Sequence, residues 1–170
     1  MALREIVTVP NDVLRRKARK ITEFDKELQK TIDDMIETMR EAPGVGLAAP
    51  QVGLPERLVV VEYEEDDEKE DSPKKLYVVV NPEIISASEE TEMGIEGCLS
   101  IPGLVGEVER SLEIVVRGQN RRGQPLKIKA NGWLARIFQH EIDHLDGILY
   151  TDRATKVWKP APEEENIAAD

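Results

Sequence analysis

His140 and His144 are the two histidines of this 170-residue chain, and both lie in "QHEIDHLDG", Gln139 to Gly147. On a helix, residues i and i+4 share a face, with Cβ atoms about 5–6 Å apart. That spacing lets two imidazoles meet one cation. Glu141 follows the first histidine, as in the H-E-x-x-H pattern, where the carboxylate addresses a water on the ion rather than the ion itself. Chance placement on a polar surface is the bland alternative. It is disfavoured because the segment reads as a buried helix, where ring nitrogens need partners.

Two ligands do not complete a centre; catalytic sites normally use three protein ligands and keep a fourth position open. Downstream of His144 the acids are Asp146, Asp152 and a tail cluster from Glu163, none on a convincing helix. Upstream, "EGCLS" holds Cys98, the single cysteine. A lone cysteine is more often an inert buried thiol. Gly97 and the loop-like surroundings favour an accessible one, and a thiol beside a metal is deprotonated. Cys98, His140 and His144 together would spend the whole Cys and His inventory on one divalent ion.

The remaining sequence must position these groups. The length suits one domain with a real core, and an aromatic share of 4% means that core is mostly aliphatic. A net charge of −11 repels phosphate backbones, so direct nucleic-acid binding is not expected. No apolar run reaches membrane-spanning length. The N-terminus lacks secretory-signal features, and a single cysteine suits a reducing compartment, so a cytoplasmic location is expected. The basic cluster "LRRKARK" (Leu14 to Lys20) reads as the solvated face of a short helix.

Thr22 and Asp25 resemble a capping box. Leu28, Ile32, Met35, Ile36 and Met39 recur at helical spacing, which predicts an amphipathic helix over Phe24 to Glu41. "GVGLAAPQVG" (Gly44 to Gly53) reads as a shaped loop that allows close backbone approach. "RLVVVEYE" and "KLYVVVNPEIIS" read as strands around a solvated acidic excursion, Glu64 to Lys75. A second β block runs from Val105 through "SLEIVVRG" and "QPLKIKAN", with "NRRGQ" as a turn. A second helix is expected from an Asn131 N-cap to a stop at Gly147, apolar on nearly every side and therefore buried. The expected fold is α+β: short, mostly antiparallel strands packed around a central C-terminal helix carrying H-E-x-x-H. Residues 1–155 would form one catalytic domain, and 156–170 a flexible acidic tail rich in Pro and Glu.

Three motifs in order, "GVGLAAPQ" (Gly44 to Gln51), "EGCLS" (Glu96 to Ser100) and "QHEIDHLDG", give the chain a close resemblance to the peptide deformylase family over roughly residues 4 to 153. The family removes the N-formyl group from the initiator methionine of new polypeptides and releases formate. The resemblance implies Cys98, His140 and His144 as metal ligands and Glu141 as general base and acid. It implies Gln51 and the Leu99 backbone N–H as the oxyanion hole. It also implies one divalent ion per chain, ferrous iron, with zinc, nickel or cobalt as substitutes. The implied partners are N-formyl-methionyl nascent peptides, with transient ribosome contact and no membrane.

Gly44, Gly46 and Gly97 would admit substrate backbone. Val45 either faces the methionine pocket or anchors its loop, and Ile137 either lines that pocket or fills the helix core. Glu96 reads as pairing with Arg110 and fixing the Cys98 loop, rather than as a third acid in the chemistry. Asp143 reads as an acceptor for a ligand or nearby backbone group. Arg136 either rims the pocket or extends to solvent. The rivals are a zinc endopeptidase whose third ligand is a tail Glu, and a non-catalytic binding protein that keeps the fold.

Overall fold

The computed structural model describes residues 2–64 and 74–161. Helix α1 (Lys26–Glu41) begins two residues later than expected. Asp25, not Thr22, is the N-cap: its side chain accepts the Leu28 N–H at 2.9 Å. That bond satisfies one of the donors a helix start leaves open. Phe24 stays outside the helix and packs beside it in the core.

Among the described residues eight strands follow, all paired antiparallel. They are β1 (Gly46–Ala48), β2 (Leu58–Tyr63), β3 (Lys75–Ala87), β4 (Thr91–Cys98), β5 (Ile101–Ser111), β6 (Glu113–Gln119), β7 (Pro125–Asn131) and β8 (Lys156–Trp158). One sheet has the order β1-β2-β3-β6-β7, the other β4-β5-β8. Helix α2 (Gly132–Leu145) touches strands of both sheets, and the short α3 (Tyr150–Arg153) packs on β5. This is the expected α+β arrangement.

β2 shows how the sequence dictates the layers. Successive strand residues point to opposite faces. Val59 and Val61 pack towards α2, with Val79, Val116, Leu134 and Phe138. Leu58 and Val60 pack towards α1, with Ile32, Met35 and Met39. A strand buried on both faces reads as an unbroken apolar run, which accounts for "LVVV". The third cluster joins Cys98, Ile101 and Val108 to Leu149 and Tyr150.

Several expectations are corrected. The basic cluster is not a helix face. A 3-10 turn covers Asp12–Arg15, after which the Ala18 N–H donates to Leu145 O and Arg19 bridges to Glu56. Asn131 occupies the N-cap position of α2, but its side chain makes no capping bond. The strand β8 pairs with β5 through Val105, Gly106 and Glu107, so ordered structure continues past residue 155. Three residues of the expected tail complete a sheet because β5 would otherwise leave that edge unpaired. Of the acidic excursion, 65–73 lie outside the described residues, and so do 162–170 of the tail.

The N-terminal segment acts as a strap. Ala2 N–H and the Arg4 guanidinium donate to Asp34 on α1, at 2.8 and 3.1 Å. Further on, Val7 N–H donates to Gln51 O and Val9 N–H to Ser100 O. Burial raises the Asp34 pKa, but the Ala2 and Arg4 donors outweigh it and hold it below the usual value. A depressed folded pKa stabilises above the unfolded value of about 3.9, and the gain is lost as pH falls through the folded one. The stability gap between wild type and Asp34→Asn should therefore narrow in acid. Urea titrations at pH 7 and pH 3 check this, and a gap independent of pH would contradict it. Phe138 is fully buried and meets Tyr77 edge-on at 5.4 Å between centroids. Phe138→Ala should cost about 3–5 kcal/mol in the same measurement; a loss below about 1 kcal/mol would show that the core is placed wrongly.

Candidate metal centre

The centre is built where β4 runs alongside α2. Strand residues two apart share a face and rise about 6.6 Å. Helix residues four apart share a face and rise about 6.0 Å. The two periods match over three rungs. A methyl at Gly94 would lie 2.6 Å from Cζ of Arg136. Glu96 Oε1 is 2.9 Å from His140 Nδ1. Cys98 Sγ is 3.5 Å from His144 Nε2.

The ligand-type atoms of Cys98, His140 and His144 all lie within 4.8 Å of one another, and all three residues are buried. Tetrahedral binding with Zn–S of about 2.3 Å and Zn–N of about 2.05 Å places sulfur and nitrogen about 3.6 Å apart. The observed 3.5 Å edge between Cys98 and His144 therefore fits two ligands of one ion. The donor set, one thiol and two imidazoles, suits a borderline-soft divalent metal. The turn Leu99–Ser100 follows Cys98 directly, and the pairing of β4 with β5 changes register at Gly97/Cys98.

Glu96 is the hub beneath the ligands. Arg110 donates to both its oxygens, Nη2 to Oε1 at 2.8 Å and Nε to Oε2 at 2.9 Å. This is the expected pair. Arg136 adds Nη1 to Oε2 at 2.7 Å. Burial pushes the Glu96 carboxyl up, but Arg110 and His140 overcome it and hold the pKa well below the carboxylate range. Burial likewise opposes the Arg110 charge, and the Glu96 and Asp143 carboxylates outweigh it. Asp143 accepts from Arg110 at 2.7 Å and from Arg153 at 2.6 Å, so it serves the hub rather than a ligand directly.

Glu141 is fully buried, directly under β1. A methyl on Gly46 would lie 2.6 Å from Glu141 Oε2, so only glycine allows the strand this close. Gln51 is also fully buried. Its Oε1 accepts the Ala48 N–H at 3.0 Å, which turns its amide nitrogen towards Cys98 Sγ (3.6 Å) and Ser100 Oγ (3.3 Å). Val45 and Ile137 line one tight cavity of only about 20 Å³ with Trp133, Arg136, His140 and Glu141. Gly44 is elsewhere: its N–H donates to Met39 O and closes the end of α1.

Four contributors were not legible in advance. Trp133 forms a wall of the cavity, and Ser100 holds the Gln51 amide. Tyr150 stacks on His140 at 6.1 Å. Arg136 does not reach solvent: it is 5% exposed, lines the cavity and binds Glu96, and the Glu96 bond is the part that was not expected.

An α+β scaffold that gathers a thiol and two imidazoles around one point, with a carboxylate beside them, defines a mononuclear metallohydrolase. The family model for polypeptide deformylase matches residues 3–159. A peptide deformylase of Symbiobacterium thermophilum is 52% identical over 164 residues, covering 96% of this chain and 72% of that protein. Peptide deformylase 1 of Bacillus subtilis is 48% identical, covering 93% and 94%. The crystal structure of the Thermotoga maritima peptide deformylase superposes with a TM-score of 0.82 at 44% identity, covering 92% and 100%. The Ehrlichia chaffeensis enzyme in complex with actinonin gives 0.85 at 39%, covering 92% and 91%. The chain belongs to the polypeptide deformylase family.

The ligand set predicts that one equivalent of Co2+ added to metal-free protein produces a thiolate-to-cobalt charge-transfer band, and that Cys98→Ser lacks it. Titration followed by absorption checks this. An identical band in the variant would remove Cys98 from the centre.

Proposed function

We propose that this chain hydrolyses the N-formyl group from the initiator methionine of nascent polypeptides and releases formate. Three ligand-type groups converging beside a buried Glu141, in a chain of this family, carry the reading. Cys98, His140 and His144 would hold the ion; ferrous iron is the proposed occupant, with nickel, cobalt or zinc able to replace it. When bound, a divalent ion supplies Lewis acidity and activates water near neutral pH.

The protein's own groups then divide the work. Glu141 takes the proton from the attacking water and passes it to the departing amine nitrogen. Its enclosure under Gly46 fixes the carboxylate over the reacting carbon. Negative charge develops on the formyl oxygen, and the Gln51 amide with the Leu99 N–H would bind it. One such donor is typically worth about 3 kcal/mol of barrier. Ser100 and the Ala48 N–H hold that amide in one orientation. Val45, Trp133 and Ile137 would receive the methionine side chain. Gly46 and Gly97 would let substrate backbone lie close.

The substrates are short extended N-termini leaving the ribosome in the cytoplasm. With a net charge of −11, any transient ribosome contact would be made to protein rather than to RNA. No described helix is long and apolar enough to cross a membrane. The endopeptidase alternative loses ground because Cys98 already stands at the third-ligand position. Formate release from formyl-Met-Ala-Ser by anaerobic ferrous protein tests the reading. Glu141→Ala should keep its metal and lose about 10²–10⁴ in turnover. Wild-type formate release no greater than that variant's would defeat the assignment.

A further inference from the structure

Glu96 offers four lone-pair directions, and four donors fill them. Oε1 receives Arg110 Nη2 and sits 2.9 Å from His140 Nδ1. Oε2 receives Arg110 Nε and Arg136 Nη1. Arg110 alone could rock with the carboxylate as one rigid fork. Arg136 ties the fourth corner to fixed backbone. Its Nη1 also donates to Val108 O on β5 at 2.9 Å, and its Nη2 to Glu92 O on β4 at 2.6 Å. The Trp133 ring covers the guanidinium at 5.3 Å, and Gly94 leaves it room.

We propose that Arg136 is a positioning residue for the metal centre: it locks Glu96 so that Oε1 holds the His140 imidazole with Nε2 turned to the ion. A carboxylate that holds a ligand imidazole fixes both its tautomer and its angle, and loss of such a partner typically costs about 10–100-fold in metal affinity. Because Arg136 and Trp133 also line the small cavity beside His140 and Glu141, the guanidinium links the pocket to a ligand. Lysine cannot replace it, since a single ammonium does not reproduce a planar fork that serves three acceptors.

The proposal rests on Cys98, His140 and His144 being the ligands. The test uses the full chain, stripped of metal and titrated with Co2+ against a chelator, with kcat and KM then measured on formyl-Met-Ala-Ser. Arg136→Met should weaken Co2+ about 10-fold or more, shift the cobalt d–d spectrum and lower kcat with little change in KM. Arg136→Lys should recover part of the loss. In a Glu96→Gln background, Arg136→Met should add no further loss of affinity, because the arginine acts through Glu96. If Arg136→Met does not fold, Gly94→Ala displaces the guanidinium without removing any polar group, and should show the same signature. Unchanged affinity and spectrum in a folded variant would overturn the proposal. So would a rise in KM alone, or a full additional loss in the Glu96→Gln background. Wild-type protein that binds no Co2+ would overturn the ligand assignment as well, which separates the two failures.

Discussion

The match between a strand period and a helix period governs this molecule. Two residues of β4 climb nearly as far as four residues of α2, about 6.6 against 6.0 Å. Three contacts therefore stack in order: Gly94 with Arg136, Glu96 with His140, Cys98 with His144. The mismatch accumulates slowly, and the irregular register at Gly97/Cys98 falls where the last rung must close. A sulfur and a nitrogen can thus share an ion although 46 residues separate Cys98 from His144.

That alignment survives only if the polar middle rung is stable in a dry place. Burying a carboxylate and two guanidiniums costs several kcal/mol per ion, and Coulomb attraction repays it only with near-complete hydrogen bonding. Here the condition is met. Glu96 has four donors, and Arg110 bridges it to Asp143. Arg153, at the exposed edge, closes the chain of charges. The gain is orientation rather than net stability. A hydrophobic replacement could pack as well, but it could not hold His140 at one angle.

The three ligand-type residues were legible as a group in the sequence because their chemistry is rare. Two histidines at i,i+4 with one cysteine leave few arrangements. Strands β2, β3, β6 and β7 were legible from their β-branched runs and α1 from its apolar period, whereas β1 and β4 were not, because the glycines of Gly44–Gly53 and around Cys98 read as loop. The start of α1 was misplaced because Thr22 and Asp25 are both capping residue types, and only the fold decides that Phe24 packs outside the helix. β8 was missed because three residues beside a Pro- and Glu-rich stretch carry no periodic signal. The strand exists only because β5 offers an edge. The bond of Arg136 to Glu96 was missed for a similar reason. An arginine on a helix ordinarily reaches water, and its burial depends on a glycine 42 positions upstream and on two strand carbonyls.

Glycine at both flanks of α2 has a further consequence. Gly46 lets β1 lie against Glu141, and Gly94 lets β4 close on Arg136. Among the described residues, β1 and β4 are each the terminal strand of their sheet. The ligands on α2 therefore sit between two strand edges, whose backbone groups can pair with an extended peptide. Pairing of this kind reads main chain and is indifferent to side-chain identity. For the proposed reaction this is the required division of labour. In that reaction the cavity of Val45, Trp133 and Ile137 would receive methionine, the centre would receive the formyl group, and the residues that follow would be held through their backbone, which would let one site serve nascent chains of varied sequence.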